Sequence, residues 1–194
     1  MKLDEIQIIG VLFSILQVTF AFFNKTIHYL FGIIGILIML YVMFLSKLYA
    51  EFSINVYYLI MSVYGWVYWC YGIEQREVGL SKTTAIEWKI TLAIVLLSFG
   101  LGYYLLANFT DTDVPFWDSF SSCFAWGGMW LLAKRKVENW LLLSVSNLIN
   151  IPLMYYKELN GYAFLYVFLL VVGIMGYFKW LKIMQGERES EQLA

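Results

Sequence analysis

Two asparagines interrupt an apolar stretch of membrane length. They are Asn147 and Asn150, within Glu138–Lys157, which reads ENWLLLSVSNLINIPLMYYK. Standing three residues apart, they project to the same side of a helix. Ser144 lies three residues before Asn147, so Trp140, Ser144 and Asn147 form one candidate stripe. An amide offers a donor and an acceptor at once. In hydrocarbon such a group costs free energy unless it has a partner or faces a cavity. These residues suit recognition of hydroxyl or amide groups in a polar site between helices. The competing role is to glue two helices together, as small and polar residues commonly do.

Rings supply the second kind of chemistry. Tyr64, Trp66, Tyr68 and Trp69 crowd one short segment, and Gly65 among them permits close helix approach. Aromatic faces stack flat heterocycles and attract positive charge. A helix can turn only part of this set inward, and a Trp/Tyr belt at the membrane interface is the alternative. Gln17 is a further amide inside an apolar run. Trp126 and Trp130, four residues apart, read as bulky packing ahead of a pocket wall. Asp118 either draws a cationic substrate or joins Asp111 and Asp113 on a wet rim. Lys157 either repels cations or snorkels to the headgroups.

Catalysis finds no support. The chain has no paired intramembrane carboxylate, no His/Cys nucleophile arrangement and no phosphate-cradling glycine loop. One histidine and two distant cysteines do not complete a metal site. Cys70 and Cys123 fall at different depths, which argues against a disulfide. No acidic residue sits deep in a span, so a simple proton relay is not expected. The expectation is no enzyme activity, no cofactor and no metal.

The elements that must carry these residues are membrane helices. Of 194 residues, 61% are hydrophobic and 14% charged, against about 25% charged in a soluble domain. A net charge of −1 gives no basic field for nucleic acid. Seven spans can be drawn, at 5–23, 28–46, 53–71, 88–107, 116–133, 139–155 and 162–180. Each approaches the length that crosses about 30 Å of hydrocarbon, and backbone satisfaction in lipid makes them helices. The run beginning near Ile6 lacks a basic leader and reads as a retained helix. Pro152 is expected to kink or end the sixth. Gly72–Glu87 reads as an exposed loop, and Glu187–Glu191 as a solvated end.

Lysine and arginine crowd the loops after spans one, three and five and the C-terminal tail, with Lys134, Arg135 and Lys136 the strongest run. The positive-inside rule makes that side cytoplasmic, with the N-terminus outside. A weak repeat is also visible. Gly65-Trp66-Val67-Tyr68-Trp69 and Gly176-Tyr177-Phe178-Lys179-Trp180 both read Gly, aromatic, any, any, Trp. This suggests one membrane domain over 1–194, parsed as three-helix units at 5–71 and 116–180 joined by a linker helix at 88–107. Parallel repeats of that kind can build an alternating-access carrier.

On these residues the chain resembles the PnuC family of bacterial vitamin transporters. The similarity covers roughly Leu45 to Trp180 and rests on Tyr64-Gly65-Trp66 with Trp69, on Leu132–Trp140 around the basic loop, and on Gly176 to Trp180. The resemblance implies an all-α integral membrane protein with seven transmembrane helices in a 3+1+3 parallel-repeat arrangement, similar to a full-length SWEET carrier. It implies import of nicotinamide riboside across the bacterial inner membrane by facilitated diffusion, with trapping through phosphorylation by a cytoplasmic kinase. Thiamine or riboflavin transport is the alternative, and a homotrimer is a family trait. A receptor or scaffold that moves nothing is the reading from a different class. The family motif in the sixth helix is Trp, two residues, Trp, three residues, Asn or Asp. Trp140 and Asn147 match it, and Leu143 stands where the second Trp would be. Tyr68 stands where a Gln often precedes the last Trp of the third helix. The expected substrate-binding set is Trp140, Asn147, Asn150, Ser144, Trp66, Tyr68, Trp69 and Gln17.

Overall fold

A computed structural model describes residues 3–45, 49–72 and 78–192. Lys2, Lys47 and Arg76, which entered the loop-charge comparison, lie outside the described residues. The chain forms α1 (Leu3–Phe22), α2 (His28–Leu45), α3 (Tyr49–Tyr71), α4 (Ala85–Phe109), α5 (Pro115–Ala133), α6 (Asn139–Tyr156) and α7 (Asn160–Gln192). Six of these follow the expected spans within a few residues. The last runs well past residue 180, so the acidic tail that reads as a solvated end continues the helix as far as Gln192. Pro152 lies inside α6 without ending it, and the helix continues to Tyr156.

Starts and stops follow local chemistry. The Thr84 hydroxyl accepts from the Glu87 backbone N–H, and the Glu87 carboxylate accepts from the Thr84 backbone N–H at 2.8 Å. This capping box satisfies two N-terminal donors of α4. Pro115 occupies the first turn of α5, where its missing N–H costs nothing. By length and apolarity α2, α4 and Gly161–Glu187 of α7 can each cross a bilayer. At 18 residues α6 still spans about 27 Å, close to the ~30 Å hydrocarbon core. The chain is a multi-pass membrane protein.

Neighbouring helices pack in chain order, and α3 against α5 and α1 against α7 close the ring. At one end the α1–α2 turn, residues 78–84 and the α5–α6 loop meet. The described part of the stretch expected as an exposed loop is held here. Leu80 is buried, and Val137 N–H donates to Ser81 O at 3.1 Å. The other end holds Asp118 and Lys157.

The 3+1+3 parallel-repeat, SWEET-like architecture is corrected. Helix α4, expected to be a separate linker, lies along α5 and also touches α3. Its buried seam of Thr91, Ser98, Gly102 and Leu106 packs as part of the α4–α7 side. Thr91 and Val95 face Gly127, and Gly102 faces Ser119. The two Gly-aromatic-x-x-Trp segments feed one shared cluster, with Trp69 and Trp180 centroids 5.9 Å apart. They are two contributions to a single core.

Candidate functional site

One face of α6 organises the interior. Asn139, Trp140, Leu143, Asn147, Asn150, Met154 and Lys157 recur at helical spacing, and all of them line two adjoining cavities. Leu143 and Asn147 line both, and so mark where one cavity meets the other.

The first cavity, the chamber, measures about 190 Å³. Ser14, Gln17, Val18 and Ala21 of α1 line it, with Met129 and Leu132 of α5, Leu169 and Gly173 of α7, and the first half of the α6 face. No charged side chain is among them. Trp140 is fixed by its neighbours. Its ring meets the Trp180 ring edge-on, with centroids 5.5 Å apart. A Cβ on Gly176 would stand 2.7 Å from the Trp140 ring, so only glycine lets α7 pass this close. Gln17 has a similar seat on α2, where a Cβ on Gly32 would stand 2.8 Å from its amide carbon. The Trp140 indole N–H is buried without a hydrogen-bond partner among the described residues. So is Oδ1 of Asn139, whose Nδ2 donates to Lys136 O at 2.6 Å. A buried unsatisfied polar atom carries a desolvation cost that a ligand can relieve.

The chamber is closed at the end bearing the basic loop. The indole N–H of Trp180 donates to Ala21 O at 3.0 Å, and that of Trp69 donates to Leu132 O at 3.1 Å. Both carbonyls belong to residues that line the chamber. Arg135, only 8% exposed, lies over the Trp69 ring and donates to Asn24 Oδ1 at 3.1 Å and to Val78 O. Lys136 pairs with Glu87 at 2.9 Å. The basic run is therefore a set of ties between four segments. Asn24 and Arg135 adopt φ of 54° and 56°, a left-handed conformation that these ties must hold.

The second cavity, the vestibule, measures about 450 Å³ and reaches the opposite end. Asn55 and Tyr58 of α3, Asp118, Ser121 and Ser122 of α5, and Tyr166 of α7 line it, with the second half of the α6 face. Ser121 Oγ donates to Asn150 Oδ1 at 2.9 Å. Lys157 Nζ meets both Asp118 oxygens, at 2.7 and 2.8 Å, and Thr112 donates to Oδ2 at 2.6 Å.

Of the expected site residues, Trp140, Asn147 and Gln17 come together in the chamber, and Asn150 stands in the vestibule. Ser144 turns to α7, where its hydroxyl sits against Gly173 without a hydrogen-bond partner. Trp66, Tyr68 and Trp69 are not among the lining residues of either cavity. Trp66 is exposed, Tyr68 lies beneath Lys134, and Trp69 belongs to the closed end. Trp126 and Trp130 stack on Tyr57 and Tyr64, joining α5 to α3 as packing. Asn55, which lines the vestibule, is well inside α3. Asn139 was hidden from sequence reasoning because it opens its helix beside a basic loop, where an amide reads as a cap.

Residues 5–182 match the profile of a family described as nicotinamide mononucleotide transporter. The chain is 24% identical over 218 residues to the nicotinamide riboside transporter PnuC of Escherichia coli (strain K12), covering 99% of this chain and 91% of that one. It is 26% identical over 187 residues to the PnuC protein of Neisseria mucosa, covering 89% and 70%. Its fold is similar to a crystal structure of the vitamin B3 transporter PnuC, with a TM-score of 0.72 at 23% identity over 94% of this chain and 83% of that one. The last likeness identifies the architecture as the PnuC fold and replaces the SWEET-like parallel-repeat expectation.

Proposed function

The chain belongs to the PnuC family of bacterial nicotinamide riboside transporters, and from that membership we propose how it moves its substrate. It is a transporter of nicotinamide riboside and not an enzyme. The relatives named above carry nicotinamide riboside in their names, and the thiamine alternative has no support. The observation that carries the mechanism is the single α6 face joining vestibule to chamber through Asn147.

In this reading the heterocycle stacks on Trp140, while Asn147 and Gln17 bond to its carboxamide or ribose hydroxyls. Asn150 bonds to the same groups on the way through the vestibule. A pyridinium ring suits an indole face, since the ring quadrupole attracts cations. The family description names the mononucleotide, but a phosphate wants cationic donors. The one lysine among the lining residues, Lys157, already holds Asp118. The uncharged riboside end fits this interior better than the phosphorylated one.

The vestibule lies outward and the chamber's closed end inward, an orientation supported by the basic residues at that end. The protein sits in the bacterial inner membrane with its N-terminus outside. Transport is facilitated diffusion, drawn inward by phosphorylation of the product by a cytoplasmic kinase. Assembly as a homotrimer completes the proposal. These last two elements rest on the family resemblance.

Counterflow in proteoliposomes tests the reading. Labelled nicotinamide riboside should exchange, while nicotinamide mononucleotide and thiamine should compete weakly. Asn147→Ala should weaken exchange and Trp140→Ala should weaken it further, both while remaining monodisperse in detergent. Tight binding without exchange would make the chain a receptor instead.

A further inference from the structure

Among the described residues, Asp118 and Lys157 are the only charged ones that line either cavity. They stand in the vestibule, and the described residues that line the chamber beyond carry no charge. Resting on the transport reading above, we propose that this pair makes the vestibule a second binding site, a staging site for cationic pyridinium nucleosides. The cationic ring takes the place of the Lys157 ammonium on Asp118 before the nucleoside passes Asn147.

The geometry supports an exchange of partners. Lys157 Nζ lies 2.7 and 2.8 Å from the two Asp118 oxygens, and Thr112 Oγ1 donates to Oδ2 at 2.6 Å, which keeps the carboxylate in place when the lysine leaves. Both side chains retain solvent contact, 25% for Lys157 and 18% for Asp118. Water reaches both partners, so the pair can open without leaving either charge in a dry interior. Each partner has a second source of stabilisation. Asp118 lies in the first turn of α5, where the helix dipole favours an anion. Lys157 is the C-cap of α6, where the last carbonyls favour a cation.

The vestibule has the other parts such a ligand needs. Its volume of about 450 Å³ is within the range of small-molecule sites. Ser121, Asn150 and Ser146 form a row, with Ser121 Oγ donating to Asn150 Oδ1 at 2.9 Å, and ribose hydroxyls can join that row. Tyr58 and Tyr166 add rings to the wall. The consequence is charge selection before entry to the chamber. A cation competes for Asp118, a neutral analogue does not, and an anion meets the carboxylate.

Counterflow with two probes tests this: nicotinamide riboside, a cation, and its neutral dihydro form. Lys157→Gln should lower the half-saturation concentration for the cation by about two- to fivefold, the range a partly exposed ion pair supports. The neutral probe should change less than twofold. Asp118→Asn should raise the value for the cation alone. Lys157→Met serves as the second variant should the glutamine form fail to fold, with a monodisperse detergent peak as the criterion for both. Equal shifts for both probes, or no shift in either, would overturn the staging site and leave the transport reading standing. Failure of the unmodified chain to exchange either probe would overturn the transport reading, and this proposal with it.

Discussion

Asn147 stands where the vestibule and the chamber share a wall, so its amide is presented to anything moving between them. A single neutral hydrogen bond contributes about 1 kcal/mol net, and that converts to roughly a fivefold change in affinity. Asn147→Ala is therefore expected to raise the half-saturation for nicotinamide riboside about fivefold or more, read from concentration-dependent counterflow. Trp140→Ala should cost more, because it removes a ring face as well as the one buried indole donor that lies in the chamber wall. Asn139 predicts a different outcome. Its Nδ2 holds the Lys136 carbonyl at 2.6 Å, so Asn139→Ala should lower stability by roughly 1–2 kcal/mol as well as weaken binding. A melting curve in detergent, with and without substrate, separates the two effects. Sequence spacing alone put Trp140 and Asn147 on one stripe of α6, and both line the chamber. It misplaced Ser144, since a stripe drawn by spacing does not say which side of the stripe meets α7.

Two of the glycines that let helices approach closely face chamber-lining side chains of different stiffness. On α7, Gly176 faces the rigid Trp140 ring, and a Cβ there would fall 2.7 Å from it. On α2, Gly32 faces the flexible end of Gln17 at 2.8 Å. The two positions look alike on paper and should behave differently. Gly176→Ala must move an indole wedged against Trp180, and overpacking of that kind costs about 1–3 kcal/mol. Gly32→Ala pushes aside an amide that can rotate, so stability should hold while nicotinamide riboside binding weakens. Thermal unfolding and half-saturation measured on the same preparations distinguish them. Helix positions themselves were readable from apolar length, and α1 to α6 agree with the spans drawn from sequence. The aromatic segment of α3 was not readable in this way. Trp66, Tyr68 and Trp69 have the composition of a stacking site, but the turn of α3 directs Trp69 to Leu132 and sets Tyr68 under Lys134.

The whole molecule is closed at one end and carries a cavity toward the other. Trp69 and Trp180 hold the carbonyls of Leu132 and Ala21, which are also part of the chamber wall. In the proposed transport cycle the closed end must open, and these ties then break. Trp69→Phe with Trp180→Phe removes both N–H donors and keeps most of the ring volume. The double variant is expected to expose the closed end more often. A cysteine placed at Ala21, in a background lacking Cys70 and Cys123, reports this as faster labelling by a water-soluble thiol reagent. Unchanged labelling would show that the two indole bonds are not what keeps this end shut. Arg135 and Lys136 act at the same end, tying the α5–α6 loop to Asn24, Val78 and Glu87. Composition revealed their charge and suggested a cytoplasmic loop, but not that both side chains are buried.

Membrane residence and the number of helices were available from local order, because apolar length and helical spacing are properties of consecutive residues. The family was legible in a different way, as a resemblance carried by short motifs. Packing between distant segments decided the rest. It put α4 on α5 instead of between two repeats, and placed the α3 tryptophan in a core with Trp180. It also joined Asp118 of α5 to Lys157 at the end of α6, 39 residues apart. Such partners are chosen by helix contact in three dimensions, and nothing in the spacing along one helix specifies which residue of another will meet it.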